Sequence, residues 1–157
     1  MASPRKFLNF DELAAAVGEN LGYSQWLTID QSRIDAFAEA TGDRQWIHVD
    51  TERAARGPHG STIAHGYLTL SLLPALVGSI VTYDAWTTRL NYGSNKVRFP
   101  AAVKSGSRVR AGAELVAVDV AAAGLIVTTR VTLEHEHEGR MQPKPALVAE
   151  ALTLLLD

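Results

Sequence analysis

A chain of 157 residues with 46% apolar and 20% charged side chains suits a single globular domain. It is large enough to bury a core without disulfides or metals, and it lacks the bias that marks disorder or fibre. The absence of cysteine excludes disulfides, thiol catalysis and thiolate metal sites and fits a reducing compartment, while a net charge of -2 with no basic run argues against nucleic acid as a partner.

The N-terminal stretch "MASPRKFLNFDELAAAV" has no long apolar core ahead of a small-residue cleavage site, so no signal peptide is expected and the chain reads as cytoplasmic. Residues 9–20 form an amphipathic helix pattern with Asp11 near its start. "YSQWLTI", residues 23–29, alternates as a strand does. Asp30 is a helix N-cap, Ile34, Phe37, Ala38 and Thr41 follow at helical spacing, and Gly42 supplies the stop. A second short helix starts near Asp50 and breaks at Gly57-Pro58.

From Gly57 to Tyr83 there is no Asp, Glu, Lys or Arg. The densely apolar part, Tyr67 to Val81, falls short of the ~20 residues that cross a bilayer. A helix apolar on nearly all faces in a small protein has to be buried on nearly all faces. The second half supplies the wrapper. Segments 87–100, 107–120, 124–139 and 146–157 are rich in Val, Leu, Ile and Thr and are separated by turn residues. Short turns between long strands imply an antiparallel meander. The expected fold is α+β, a single hotdog domain over 1–157, with one long buried helix wrapped by a curved antiparallel sheet.

Two segments carry candidate chemistry. "ATGDRQWIHVD", Ala40–Asp50, places Asp43 and His48 five residues apart. On a helix such residues point roughly 140° apart, and on a strand they fall on opposite faces. They converge only if the segment is irregular, which Gly42 permits, with Trp46 and Ile47 as anchors. Two titratable groups pinned on one short loop can hold a water between a base and an acid. The same residues also have a plain structural use, Asp43 capping the next turn and His48 a satisfied histidine. In the second segment, "STIAHGYLTLSLL", Gly66 stands where the charge-free helix begins. First-turn N–H groups lack internal partners, so Gly66 offers an oxyanion site to a carbonyl gaining charge. Alternatively Gly66 only lets helix pack on sheet, and His65 only caps the helix.

Gly42-Asp43, then His48, then Ala64-His65-Gly66 opening an apolar helix, resemble the MaoC-like (R)-specific enoyl-CoA hydratase/dehydratase family, in the branch that resembles nodulation protein N. "NYGSNKVRFPAAVKSGSRVR" resembles the family's strand-turn-strand, with Pro100 and Gly106 at its turning points. The resemblance implies a homodimeric hotdog acting on a trans-2-enoyl-CoA without metal or redox cofactor. Asp43 and His48 would be catalytic, and Gly66 would polarise the thioester carbonyl. His65, Ala64, Gln45, Asn91 and Asn95 would line the substrate site. The chain departs from the family in having Gln45-Trp46 where Asn-Pro is common, which is expected to alter loop shape and acyl pocket. Pro74 stands at a family serine position on the helix, where it would free the Leu70 carbonyl and kink the helix.

His135 and His137 share a strand face but lack a third metal ligand, and a solvated strand end accounts for them. Arg89, Lys96, Arg98, Arg108 and Arg110 are candidates for the coenzyme A phosphates, with exposed strand basicity as the competing account. Two functional rivals remain at this level. One is a hotdog acyl-CoA thioesterase using the same oxyanion site, and the other is a non-catalytic acyl-CoA-binding hotdog.

Overall fold

The computed structural model describes residues 3–157. The chain opens with β1 (Arg5–Phe7) and α1 (Phe10–Ala15). Asn9 caps α1 by accepting the Glu12 N–H at 2.9 Å, while Glu12 reaches back to the Leu8 N–H at 3.0 Å. This reciprocal pairing satisfies two N-terminal donors and sets the helix start near the expected residue. The helix ends sooner, at Ala15. The expected strand over 23–29 is two pieces, β2 (Asn20–Tyr23) and β3 (Leu27–Ile29). Both pair with β6 (Ser107–Ala121), and Ser24 between them bridges through its hydroxyl to the Ala111 N–H at 2.9 Å.

Asp30 accepts the Arg33 N–H at 2.9 Å and starts α2 (Gln31–Thr41), which Gly42 ends in the left-handed conformation at φ 78°. Two short helices follow, α3 (Trp46–Val49) and α4 (Thr51–Ala55), the second starting beside Asp50 as expected, with Asp50 as its cap. The helix expected to be single and long is two six-residue pieces, α5 (Gly66–Ser71) and α6 (Leu73–Gly78), joined through Leu72. Pro74 lies in the first turn of α6, where its missing N–H costs nothing. The kink expected of it is a helix restart. Nor is this helix buried all round. Leu68, Leu73 and Leu76 face the core, whereas Tyr67, Ser71, Pro74 and Ala75 are exposed.

β4 (Val81–Tyr83) returns to pair in parallel with β1. The long strands β5 (Thr88–Arg98), β7 (Gly124–His137) and β9 (Leu147–Leu156), with the short β8 (Arg140–Met141), complete a sheet ordered β2-β6-β7-β9-β5. β6, β7 and β9 are the expected meander. β5 is not part of it, because it crosses to pair with β9 at the far edge. Alternation places Val109, Ala111 and Ala113 of β6, Val131 and Leu133 of β7 and Leu147 and Ala149 of β9 against the helices, all essentially buried. A second cluster of Phe7, Leu13, Leu115, Val127 and Leu155 closes the other end, and Leu21 and Val77 touch both. Among the described residues no helix is long and apolar enough to cross a membrane.

Gly42 has open space where a Cβ would go, so Gly42→Ala carries only the backbone cost of a positive φ. A loss of about 1–2 kcal/mol in unfolding free energy is expected from urea titration. No loss would mean that α2 does not need this cap.

Candidate active site

The left-handed turn at Gly42 throws the chain off α2 and makes Asp43 the first residue beyond it. The irregular segment that convergence required is therefore short. Asp43–Gln45 is coil, and His48 itself lies on the one-turn helix α3. Trp46 opens α3 and fixes it from outside. Its ring lies under the Arg53 guanidinium, 4.3 Å from the centroid, and against Gly57, where a Cβ would come within 3.2 Å of it. Trp46 thus packs on α4 and is not among the cavity-lining residues described below. Gln45 is exposed, and its carbonyl accepts the His48 N–H at 2.9 Å.

An extended rail, Thr62–Ala64, holds the two halves of the site together. The Ile63 N–H donates to the Ile47 carbonyl at 3.0 Å, and the Ala64 N–H to Val103 at 2.7 Å. His48, 7% exposed, donates from Nδ1 to the Ile63 carbonyl at 2.7 Å. A carbonyl can only accept, so this bond fixes the tautomer and leaves a lone pair on Nε2. His65, 3% exposed, does not cap the helix with its side chain. Its Nε2–H reaches back to the backbone carbonyl of Asp43 at 2.8 Å, and its buried Nδ1 has no partner among the described residues. The two imidazoles stack at 3.7 Å between centroids with planes 22° apart, and Phe37 of α2 covers the other side of His65 at 4.9 Å.

One ring nitrogen of each histidine and a carboxylate oxygen of Asp43 all lie within 4.8 Å of one another. That separation between Asp43 and His48 is one that a bridging water spans. Three such ligand types can also suit a metal ion. Stacked rings, however, keep their lone pairs in nearly parallel planes, and the Nδ1 of His48 and the Nε2 of His65 are already used by backbone carbonyls. Asp43 is exposed, and among the described residues its carboxylate accepts only a long 3.4 Å bond from the Gln45 N–H. Burial pushes the His48 pKa down, against the opposing pull of its bond to Ile63, and the neighbouring His65 lowers it further.

Gly66 is the first residue of α5, and among the described residues its N–H has no acceptor. A six-residue helix carries little macrodipole, so this N–H matters as an unpaired donor more than as the end of a long dipole. The glycine is needed for a neighbour that sequence reasoning did not name. A Cβ here would sit 3.0–3.1 Å from the Phe99 ring. Ala64 is buried in the core. Asn91 lines a cavity of about 700 Å³ between α5–α6 and the sheet, while Asn95 stands opposite Glu150 at a bulge on the edge strand.

Gln31 is the other residue missed. Its Nε2 donates to the His48 carbonyl at 2.7 Å and to Asp35 at 2.8 Å, and its Oε1 accepts the Thr62 hydroxyl. It ties α2, α3 and the rail together, with partners 17 and 31 residues away that no local pattern could reveal. Of the basic candidates, Arg108 and Arg110 pair with Glu136 and Glu134 across β6 and β7, and Lys96 with Glu150. Arg98 bonds the Val97 carbonyl, and Arg89 lines the cavity. His135 is buried rather than solvated and bonds the Lys144 carbonyl at 3.1 Å, while His137 bonds Ser107 at 3.0 Å.

Residues 12–137 match the family model described as a MaoC like domain. The chain is 52% identical over 148 residues to 3-hydroxyacyl-thioester dehydratase Z of Mycobacterium tuberculosis, covering 94% of this chain and 96% of that one. It is 46% identical to nodulation protein N of Rhizobium leguminosarum bv. viciae over 94% of this chain and 91% of that one. Among solved structures, the (R)-hydratase from A. caviae involved in PHA biosynthesis superposes with a TM-score of 0.68 at 24% identity, covering 88% of this chain and 96% of that one. At that identity the likeness speaks for the hotdog fold.

His48 and His135 both have pKa values lowered by burial. The unfolded chain, with histidines near about 6.5, therefore binds more protons than the folded one below that pH. Stability falls as pH drops through about 6.5 toward 5, above the range where the carboxylates held low by hydrogen bonds protonate. Urea midpoints between pH 7 and 5 are expected to show this slope, and the double variant His48→Gln/His135→Gln to flatten it. An unchanged slope in the variant would show that these rings do not resist charging.

Proposed function

The chain belongs to the MaoC-like dehydratase family, a family of hydro-lyases, and from that premise we propose that it is an (R)-specific enoyl-CoA hydratase. It adds water across a trans-2-enoyl-CoA to give the (R)-3-hydroxyacyl-CoA and runs equally in reverse. The observation that carries this reading is the meeting of Asp43 and His48 within one water's span, on a histidine whose tautomer is fixed by the Ile63 carbonyl.

The steps follow from what each group can do. The Nε2 lone pair is the one free position on His48, and the ring rests neutral because burial opposes its charge. It takes a proton from the water as the oxygen attacks the β-carbon. The Asp43 carboxylate accepts the water's other hydrogen and fixes the oxygen's line of attack. Its negative charge also favours the transient imidazolium, since the Asp43 carboxylate pulls the His48 pKa upward. Electron density moves through the α-carbon to the thioester oxygen, to which the Gly66 N–H donates a hydrogen bond as an oxyanion hole does. His48 then returns its proton to the α-carbon, and the lowered pKa makes it a ready acid. All of these groups are on the chain itself, and the mechanism calls on no metal or redox cofactor.

The active form is a homodimer. β5 is an 11-residue edge strand, exposed along nearly its whole length, and it adjoins the exposed helix stripe of Tyr67, Ser71, Pro74 and Ala75. An uncovered edge of that length pairs readily with another strand. The (R) outcome and the hydratase direction take support from the name of the A. caviae neighbour, and the 3-hydroxyacyl thioester class from that of the mycobacterial relative.

Hydration of crotonyl-CoA, followed by loss of enoyl-thioester absorbance and chiral resolution of the product, is the direct test. Asp43→Asn and His48→Gln are each expected to lower kcat by about 10²–10⁴-fold with the thermal midpoint little changed. Release of free thiol would make the protein a thioesterase. Tight binding of enoyl thioesters without turnover would make it an acyl-CoA-binding protein.

A further inference from the structure

The cavity beside α5–α6 is walled by the inner faces of β7, β9 and β5, and strand register says what those walls are made of. On β7 the inward rows are headed by Val127 and Thr129, which pair with Thr153 and Ala151 of β9. β5 continues the rows with Asn91 beside Thr153 and Ser94 beside Ala151, and it sets Arg89 beside Leu155. Val127 is fully buried core, yet the same face of β5 presents Arg89, Asn91 and Ser94 to the cavity. Leu90 and Tyr92 alternate to the opposite face and are 47% and 61% exposed. The strand is polar inward and apolar outward, the reverse of an ordinary half-buried strand. All three remain solvent-exposed, so the cavity is open on this side and offers polar groups that a ligand can reach.

Arg89 is the strongest of these groups. Its charge bears on the Tyr83 phenol and on Asp84, but Asp84 is paired with Lys6 at 3.2 Å. Among the described residues no carboxylate lies within 4.0 Å of the Arg89 guanidinium. The wall across from it adds the hydroxyls of Tyr83 and Thr129, both buried and within reach of each other. A guanidinium and two hydroxyls at the end of a cavity whose nearer walls are Leu70, Leu73 and Val77 form an anion site behind an apolar sleeve.

We propose that the acyl chain taken by this site ends in a carboxylate, so that the substrate is the coenzyme A thioester of a 2-enoic dicarboxylic acid whose distal carboxylate is held by Arg89. This rests on the hydratase reading and extends it to the far end of the substrate. With the thioester carbonyl at Gly66, the acyl chain would reach the cavity at Leu70, one turn along α5, and follow the helix toward Gly78, roughly 12–18 Å on at the helical rise. An extended chain of about ten to fourteen carbons covers that distance. Aliphatic carbons pass Leu70 and Leu73, and the terminal charge meets the polar rows of β5 and β9. Asn91 and Thr153 supply further hydrogen bonds to the same carboxylate.

The test separates binding from turnover. Saturated dodecanedioyl-CoA and dodecanoyl-CoA, titrated calorimetrically into the intact protein, report the distal site without requiring catalysis. The dicarboxylic thioester is expected to bind at least about tenfold tighter, and Arg89→Met and Thr153→Val are each expected to erase most of that preference. Equal affinity for the two thioesters in the wild-type protein overturns the proposal, as does a preference that survives in Arg89→Met. Turnover of the matching 2-enoyl pair should show the same preference in kcat/KM. Failure to hydrate crotonyl-CoA or either twelve-carbon substrate would overturn the hydratase reading separately, since the calorimetric preference does not depend on it.

Discussion

The hydrogen bond from His48 to the carbonyl of Ile63 is the constraint on which the rest of the site depends. It is a bond between two elements that would otherwise drift independently, a one-turn helix and an extended rail. It does three things at once. It satisfies a buried imidazole, selects its tautomer, and aligns the loop bearing Asp43 with the start of the helix bearing Gly66. The rail is pinned to the loop that leads into β6 through Val103, itself buried in the core, and Ser105, so the position of His48 is set by the core rather than by its own short helix. Gln31 repeats the logic from the other side, bonding the carbonyl of His48 and the hydroxyl of Thr62. A short helix is marginal by itself. Here four backbone and side-chain ties replace the missing turns.

The same economy explains the stacked histidines. His65 precedes the helix and could have capped it, yet its ring turns back to the Asp43 carbonyl and lies flat on His48. Two stacked rings cannot both carry charge without repulsion, and burial opposes charge on His48 besides. Burial and this neighbour together favour the neutral form of His48. The hydration proposed above starts from that neutral form, because there the base of one half-step is the acid of the next.

The sequence made much of this legible where physics is local. Asp30 and Asp50 as caps, Gly42 as the left-handed stop and the three-strand meander of β6, β7 and β9 follow from residue chemistry within a few positions. The break between α5 and α6 was half legible. Pro74 announced a disturbance, but whether a proline kinks a helix or restarts one depends on the turn before it. The strand order was hidden, because β5 reads like its neighbours and only its pairing with β9 shows that it forms an edge. The reach of His65 to Asp43, the cover that Phe99 places on Gly66 and the ties of Gln31 all join residues far apart in sequence. Trp46 misleads in the other direction. In place of a small rigid residue it suggests a narrowed pocket, yet its ring packs outward beneath Arg53.

β5 carries the argument furthest. Its alternation is strict enough to be read as a strand, and a reader of the sequence would place Leu90 and Tyr92 inward by default, because apolar residues belong in cores. Register with β9 reverses that choice, since Leu155, the partner of Arg89, is fully buried. The inversion has two consequences that fit together. Outward, Leu90 and Tyr92 leave an apolar surface along the sheet edge where a second chain is expected. Inward, Arg89, Asn91 and Ser94 give the cavity a polar end. A single strand thus divides its two faces between assembly and recognition, and the ordinary core is built by the strands on its other side.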